Sequence, residues 1–392
     1  MKRYRIKELG DIVTGNTPSK KNLDYYNSED IPFFKPDSLD ENEVAYLTTA
    51  KEYLSSNAKS VARIVPRETV LFSCIGSIGK IGITNVDNSS FNQQINAIIP
   101  NKEIILPKYL CYALKYNKKK IQAIANAAVV PIINKTQFSE FEISIHQKEE
   151  QVKVVNILDQ AQELIDKRKA QIEALDELKK SIYQQMFLAI HWEKNKLEEI
   201  IKEKGAIKCG PFGSQLLISE FTDEGIPVLG IENVGENKFV YTDNKYISEE
   251  KYTQLNAFKV QPGDVLISRT GTVGRTCVVP DEFSLGIIGP NLLKITPNTQ
   301  IITSNYLAST FNYSRDVVNQ VKLNSPGATV AVFNTGNLKK VSIPVPPIEL
   351  QNKFAEIVAS IEKQKELLNK SLVELENNFN SLMQRAFKGE LF

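Results

Sequence analysis

The chain has 392 residues, of which 42% are hydrophobic and 24% are charged, and its formal net charge is +2. This length and apolar content suffice for two ordinary domains with separate cores. No apolar run approaches the length of a membrane span, and the polar start of the chain lacks the apolar segment of a secretory signal. These features exclude an integral membrane protein and predict a cytoplasmic location, while so small a charge gives little support for nucleic-acid binding by itself.

The first globular segment is predicted to span residues 1–146. β-branched residues and glycines alternate over residues 62–84, which is typical of strands joined by tight turns. A short helix is predicted over residues 109–125, with the lysines at 118–120 on its exposed side. An extended stretch at 140–147 then leads into a long helix, so the segment is predicted to be an α/β domain.

Residues 147–190 are predicted to form this long helix, which ends near Phe187, and residues 188–196 to form a linker. Apolar residues recur in the helix at alternating steps of four and three, which is the a/d spacing of a coiled coil. The predicted seam positions are Val154, Leu158, Ala161, Ile165, Arg168, Ile172, Leu175, Lys179, Ile182 and Met186.

The order of segments then repeats, with a second globular segment over residues 191–346 and a second heptad helix over residues 347–392. VPRETVLFSCIGSIGK at residue 65 corresponds to VQPGDVLISRTGTVGR at residue 260, an offset of 195, and the heptad runs are offset by 200. The second seam comprises Phe354, Val358, Ile361, Lys365, Leu368, Leu372, Leu375, Phe379, Leu382 and Ala386.

The duplication predicts an α+β fold class. Two tandem α/β domains are separated by two long helices, which are expected to pair as an antiparallel coiled coil with approximate two-fold symmetry. A helix of roughly 40 residues is about 60 Å long, comparable with one to two turns of B-DNA.

Charged residues interrupt both predicted seams. Arg168 and Lys365 lie about midway along their heptad runs, and Lys179 lies nearer the end of the first. We favour register specification by Arg168 and Lys365, because a polar seam residue selects one alignment of two helices. The alternatives are a polar contact to a partner where the seam opens, or a long side chain that keeps its charged end in water at a frayed seam.

The most strongly repeated loop is S-x-x-G-x-x-G followed by Lys or Arg. Glycine lets backbone N–H groups approach an anionic oxygen, and hydroxyls and a basic side chain add donors and charge, so the loop fits a nucleic-acid phosphate. The alternative is a structural β-turn whose glycines permit positive φ. The spacing fails the P-loop pattern of nucleotide-binding proteins. The candidate residues are Ser73, Gly76, Ser77, Gly79, Lys80, Ser268, Arg269, Thr270, Gly271, Thr272, Gly274 and Arg275.

Polar loops near the start of each globular segment are further DNA-binding candidates. Gln side chains can contact base edges, and Lys can contact guanine or phosphate. Any exposed loop contains such residues, so this signal is weak alone, and the loop at 324–329 has the same character. The candidates are Lys20, Lys21, Gly210, Gly213, Ser214 and Gln215.

Catalytic and metal-binding motifs are missing from the sequence. It has no N-P-P-aromatic or G-x-G methyltransferase motif, no Walker A motif and no H-x-x-x-H pair, and His146 and His191 both lie beside helix ends. The four cysteines at 74, 111, 209 and 277 are scattered, so we expect buried, reduced thiols rather than zinc ligands or disulfides. The sequence therefore predicts no catalytic site and no metal site.

Three features together resemble the specificity (S) subunit of type I restriction–modification systems. They are IPVPPIELQ at 343–351 leading into a long helix, MQRAFKGEL at 383–391, and the S-x-x-G-x-x-G-[KR] loop in each half. The resemblance covers the whole chain, including its duplicated order. The segment at 146–151 departs from the family pattern, because it lacks the usual prolines before its helix.

The resemblance implies a non-catalytic DNA-binding subunit. Each target-recognition domain is expected to bind one half of a bipartite double-stranded DNA sequence, while the coiled coil fixes the gap and docks two methylation (M) subunits. S-adenosylmethionine is expected on those subunits and no cofactor on this chain. Restriction (R) subunits can join to cleave DNA, and no membrane partner is expected.

Two other functions are compatible with parts of the pattern. A coiled-coil scaffold whose paired domains bind protein or glycan ligands would show no salt-sensitive DNA affinity. A stand-alone enzyme is disfavoured by the missing motifs, although activity of the purified chain would support it.

Overall fold

The computed structural model describes residues 1–125, 130–203, 205–324 and 333–391. The chain forms two compact units, one made of residues 1–170 with 370–392 and the other of residues 171–369. This division lies within the two long helices, whereas the domain boundaries predicted above lie at helix ends. In the described part of the chain, no helix has the length and apolarity needed to cross a bilayer.

The first half of the chain contains eleven strands and five α-helices among its described residues. The strands are β1 (Lys2–Arg5), β2 (Gly10–Thr14), β3 (Ile31–Phe34), β4 (Ala45–Leu47), β5 (Glu52–Leu54), β6 (Ile64–Val65), β7 (Val70–Ser73), β8 (Ile81–Thr84), β9 (Ser89–Phe91), β10 (Ile95–Pro100) and β11 (Glu142–Ile145). The helices are α1 (Ile6–Leu9), α2 (Pro107–Tyr116), α3 (Lys118–Ala123), α4 (Lys135–Glu140) and α5 (Lys148–Phe187).

The second half repeats this series of elements. Its strands are β12 (Lys194–Lys196), β13 (Ile207–Cys209), β14 (Ile226–Leu229), β15 (Val234–Gly235), β16 (Lys238–Phe239), β17 (Lys245–Ile247), β18 (Val265–Ser268), β19 (Thr276–Val278), β20 (Ile287–Ile288), β21 (Leu292–Ile295) and β22 (Ser342–Pro344). Its helices are α6 (Glu249–Gln254), α7 (Ser304–Tyr313), α8 (Arg315–Leu323), α9 (Thr335–Lys339) and α10 (Ile348–Lys388).

Sheet topology confirms the predicted duplication. The order β2-β10-β7-β8 of the first half matches β13-β21-β18-β19 of the second, and β5-β3-β9 matches β17-β14-β20. In both of these smaller sheets, β3 or β14 pairs antiparallel with the strand on one side and parallel with the strand on the other. The β1–β11 pair likewise matches β12–β22.

Three local predictions were wrong. Residues 194–196 belong to a strand rather than a linker, because β12 pairs with β22 as β1 pairs with β11. The helix predicted over residues 109–125 is divided at Asn117 into α2 and α3. Lys118 is half-buried rather than exposed, and its Nζ contacts Glu41 Oε1 at 2.5 Å.

The long helices pack together within each unit, as the heptads predicted. In the first unit, Leu158 and Ile165 of α5 share a core with Phe379 of α10, and in the second unit α5 and α10 also share a core. Of the candidate seam residues, Leu158, Ile165, Val358, Ile361, Lys365 and Phe379 are buried, and Arg168, Ile172, Leu175, Ile182, Leu368, Leu372 and Leu375 are half-buried.

The seam shifts by one residue near the end of α5. Tyr183 and Phe187 are fully buried there, whereas the predicted Ile182 and Met186 are only half-buried. Both aromatic rings also pack against Tyr306 of α7. Contact with the globular part of the second unit, in addition to α10, therefore determines which face of α5 is buried.

Two seam lysines form ion pairs between the helix segments of the second unit. Lys365 Nζ lies 2.5 Å from Asp176 Oδ1, and Lys179 Nζ lies 2.7 Å from Glu362 Oε1. Pairing of 176 with 365 and of 179 with 362 shows that these segments run antiparallel. Among the described residues Arg168 forms no such ion pair, and its buried Nε has no hydrogen-bond partner.

Candidate nucleic-acid interface

The repeated glycine loop of the first unit connects β7 to β8 and is closed by its own hydrogen bonds. The fully buried Ser73 donates its hydroxyl to Ser77 O (2.5 Å), and its Oγ accepts from Lys80 N (2.9 Å). The N–H groups of Gly76 and Gly79 donate to Pro131 O (3.0 Å) and Ser73 O (3.1 Å). The prediction that Ser73 and these glycine amides bind a phosphate was therefore wrong, because their donors are already used.

The second loop, between β18 and β19, has the same internal closure. The buried Ser268 donates its hydroxyl to Thr272 O and accepts from Gly274 N at its carbonyl oxygen (2.9 Å). Gly274 has φ 88°, and a Cβ there would lie 2.9 Å from Val321 Cγ1. Ser268 and Gly274 are therefore structural residues, which corrects their assignment to a DNA contact.

Several candidate residues of the two loops nevertheless face solvent. Ser77, Gly271, Thr272 and Arg275 are exposed, and Lys80 and Thr270 are half-buried. Gly76 has φ 73° and Gly271 has φ 69°, and no atom lies within 4 Å of a Cβ built at Gly76. The loop tips are thus accessible from solvent at these residues.

Arg269 is not free to contact a ligand with its whole guanidinium. Its Nη1 donates to Cys209 Sγ (2.8 Å) and lies 3.4 Å from Pro290 O. Cys209 is only half-buried, unlike the other three cysteines, so the expectation of four buried thiols was wrong at this position. Burial raises the pKa of Cys277 to about 12, which keeps that thiol protonated.

The polar loops near the start of each globular segment contain both structural and exposed positions. Lys20, Lys21, Gly213, Ser214 and Gln215 are all exposed. Gly210 is structural instead, because a Cβ at this position would lie 1.9 Å from Gly289 O. Residues 325–329 of the loop at 324–329 lie outside the described residues.

A cleft of about 470 Å³ in the first unit joins the glycine loop to residues that the sequence analysis missed. Gly76 and Ser77 line one side, and Lys35, Glu52 and Gln94 are among the other lining residues. Lys20 Nζ lies 3.8 Å from Glu52 Oε2, so this candidate also adjoins the cleft. The Lys35–Pro36 dipeptide after a buried strand was a possible signal, but a single lysine is not specific.

The charges in the cleft are held by ion pairs. Lys35 Nζ contacts the Glu52 carboxylate, and Lys51 Nζ lies 3.0 Å from Asp37 Oδ2. These hydrogen bonds lower the pKa of Glu52 and of Asp37, so both carboxylates stay ionised at neutral pH. The cleft therefore presents fixed charges of both signs to a ligand.

Gln94 is fixed by its neighbours. Its Oε1 accepts from Asn92 Nδ2 (2.9 Å), and its backbone oxygen accepts from Cys74 N (2.8 Å). In the second unit Arg269 N donates to Asn291 O (3.1 Å) in the same way, so Asn291 occupies the position of Gln94.

Strand register identifies two further pairs of equivalent positions. Glu52 pairs with Phe33 of β3, and Lys245 pairs with Val228 of β14, so Lys245 replaces Glu52 in the second unit. Lys35 follows β3 directly, as Gly230 follows β14. The two units thus place different chemical groups on the same framework.

The family model for the type I restriction modification DNA specificity domain matches residues 1–174 and again residues 190–377. The chain belongs to this family. The two matches correspond to the two copies found in the sheet topology, so this specificity-domain protein has two tandem DNA-recognition domains and is a non-catalytic component of its system.

Two relatives align with nearly the whole chain. The chain is 21% identical to the type I restriction enzyme MjaIX specificity subunit of Methanocaldococcus jannaschii, with 99% of this chain and 92% of that protein covered. It is 22% identical to the EcoKI specificity subunit of Escherichia coli, with 98% and 88% covered.

Solved structures have the same fold. A chain from a study of complex assembly and conformational transition of a type I restriction–modification system has TM-score 0.63 and 19% identity, covering 100% of this chain and 98% of that one. The S subunit from M. genitalium has TM-score 0.53 and 18% identity, covering 98% and 96%. At these identities the likeness concerns the fold alone.

Proposed function

We propose that each recognition domain of this specificity subunit binds one half of a bipartite double-stranded DNA sequence, and that the two long helices fix the number of base pairs between the halves. The observation that supports this best is that the two domains share one arrangement of strands but carry different side chains at equivalent surface positions. Glu52 is replaced by Lys245, Lys35 by Gly230, and Gln94 by Asn291. Two surfaces of one architecture but different chemistry suit two different base sequences.

Base contact in the first domain is assigned to the cleft. A Gln amide can donate to acceptors on base edges, and Asn92 already holds the amide oxygen of Gln94. The Nε2 group is therefore the part of Gln94 that we propose as a base donor. Glu52 accepts hydrogen bonds, for example from a cytosine amino group, where its counterpart Lys245 donates them.

Phosphate contact is assigned to exposed basic residues outside the cleft. Lys20, Lys21 and Arg275 are exposed, and Lys80 is half-buried. Such contacts fix the position of a protein on the duplex without selecting a sequence. With a formal net charge of only +2, the chain is proposed to share phosphate neutralisation with its partner subunits.

The long helices are proposed as both spacer and docking surface. With 40 and 41 residues they are each about 60 Å long. Exposed apolar side chains on them, such as Leu164, Leu178 and Leu367, suit contact with protein. We propose two methylation subunits there, which bring S-adenosylmethionine to DNA in the cytoplasm, and restriction subunits as further partners.

A mobility-shift assay with assembled specificity and methylation subunits tests this function. Binding of a duplex that contains the methylated sequence should exceed binding of a scrambled duplex by at least about 10³-fold at physiological salt. Equal binding of both duplexes would contradict the proposal. Salt-insensitive or absent DNA binding by a complex that assembles normally would favour a protein- or glycan-binding scaffold.

A further inference from the structure

Each recognition domain exposes one large aliphatic side chain at the same place in the fold. Leu23 is 76% exposed and Ile218 is 87% exposed. Each begins a 3₁₀ turn, and the carbonyl oxygen of each accepts a hydrogen bond from the residue three positions later, Tyr26 N (3.0 Å) and Phe221 N (3.4 Å). The two positions are therefore equivalent, with the offset of 195 that relates the neighbouring segments.

The turn that contains Leu23 is held in place by the rest of its domain. Tyr26 Oη donates to Pro18 O (2.6 Å), and Ser55 N donates to Tyr25 O (2.8 Å). Asn22 caps the turn by accepting from Asp24 N (3.1 Å). The exposed leucine is thus displayed by a fixed backbone, which lowers the entropy lost when a partner covers it.

The turn that contains Ile218 is fixed by different contacts with the same result. Leu217 N donates to Glu220 Oε2 (2.7 Å), and Lys251 Nζ lies 2.7 Å from the same carboxylate. Leu216 anchors the loop in a buried apolar cluster. Both copies therefore expose an aliphatic side chain to water at the same position. A single exposed apolar residue needs no explanation, whereas its repetition in both domains does.

The surroundings of these side chains fit DNA better than a protein partner. Leu23 is close in sequence to the exposed Lys20 and Lys21, and Lys20 adjoins the cleft through Glu52. Ile218 follows the exposed Ser214 and Gln215. The apolar clusters beneath the two turns contain no residue of α5 or α10, the helices proposed above to dock protein. The loop before Leu23 is basic and polar and the loop before Ile218 is polar, and an apolar tip beside such residues is typical of side chains that enter a DNA groove.

We propose that Leu23 and Ile218 are wedges that insert between neighbouring base pairs, one in each half-site. The surface groups of the two copies differ at 52/245, 35/230 and 94/291, whereas the aliphatic tip is present in both. A feature common to two different half-sites serves a function that does not depend on sequence, and partial unstacking is such a function. This inference rests on the proposed DNA-binding function.

The test uses the assembled complex with Leu23→Ala and Ile218→Ala variants. Neither truncation creates a cavity, because both side chains are exposed. Matched controls are Val61→Ala in the first domain and Leu285→Ala in the second, at side chains that are 40% and 47% exposed. Binding is measured on the methylation site, with 2-aminopurine placed beside the proposed step in one half-site and away from the methylated base.

Each wedge variant should bind the target about tenfold more weakly, because one buried aliphatic contact is lost, and the controls should bind as wild type. The 2-aminopurine signal should fall only in the half-site contacted by the altered domain, and the methylated sequence should stay the same. Unchanged affinity and fluorescence in both variants would overturn the wedge. A changed methylation sequence would overturn it in favour of base readout, and loss of methylation-subunit binding would overturn it in favour of a protein contact.

Failure of the proposed function has a different signature. If the wild-type complex does not prefer its target over scrambled DNA, the DNA-binding proposal itself is wrong. If the wild type shows that preference and the variants behave as wild type, only the wedge is wrong.

Discussion

The ion pair between Lys365 and Asp176 should respond in opposite directions to changes at its two ends. Lys365 is only 4% exposed at a seam position, whereas the Asp176 side chain is 49% exposed. Asp176→Asn leaves the buried ammonium without its carboxylate at 2.5 Å. Lys365→Leu instead replaces the buried charge with an apolar side chain, and leaves an aspartate that remains half in water.

The expected magnitudes follow from these exposures. Removal of one partner from a fully buried pair costs about 3–5 kcal/mol, and partial hydration of Asp176 reduces this to about 2 kcal/mol. Replacement of a buried charge by a well-packed apolar side chain is neutral or stabilising, so we expect Lys365→Leu to raise the free energy of unfolding by about 1 kcal/mol.

Denaturant unfolding of the isolated chain measures both changes, with Lys180→Leu as a control at a half-exposed lysine of α5. A loss of about 2 kcal/mol in Lys365→Leu would refute the reasoning. If Lys365 specifies register, its leucine variant should also allow helices of two chains to pair with each other. Light scattering would detect the resulting dimers. A slip by one heptad would place Lys365 opposite Lys169 or Tyr183 instead of Asp176. The buried ammonium would then lack its carboxylate, so the lysine disfavours the slip and a leucine does not.

Three further predictions concern phosphate contact, spacing and pH. Arg275→Ala should weaken DNA binding and reduce the salt slope by about one unit without changing the methylated sequence; an altered sequence would show that it contacts bases. One heptad inserted into both α5 and α10 adds about 10 Å to each helix and should lengthen the tolerated spacer by about three base pairs in methylome sequencing, and an unchanged spacer would contradict this role. Burial lowers the pKa of Lys115 from 10.5 to about 8. Between these two pH values the unfolded chain binds more protons than the folded chain, so the contribution of Lys115 to the free energy of unfolding rises with pH. Lys115→Met should raise the melting temperature most at pH 7 and progressively less above pH 8, and a pH-independent difference would argue against a buried charge.

Features encoded by short-range patterns were predictable from the sequence. The heptad spacing predicted a helix over 147–187, and α5 spans Lys148–Phe187. The repeat at offset 195 predicted two copies of one fold, which the paired sheet orders confirm. The glycine motif correctly marked a repeated turn, but it did not reveal that Ser73 and Ser268 use their hydroxyls to close it.

The cleft and the seam shift were not predictable, because both depend on tertiary packing. Lys35, Glu52 and Gln94 come from three separate segments that only the folded domain brings together. Tyr183 is buried at a position outside the a/d pattern, since it packs against Tyr306 as well as facing the partner helix. A local sequence pattern contains no information on either contact.

Methylome sequencing of cells that express this chain with its methylation subunit tests most directly whether each domain binds one half-site. The wild type should methylate adenine in one bipartite sequence with a fixed gap of unspecified bases. Gln94→Glu should alter one half of that sequence and Asn291→Asp only the other, because each change converts an amide donor into an acceptor on a different domain. A single undivided sequence, or a variant that alters both halves at once, would contradict separate recognition by the two domains.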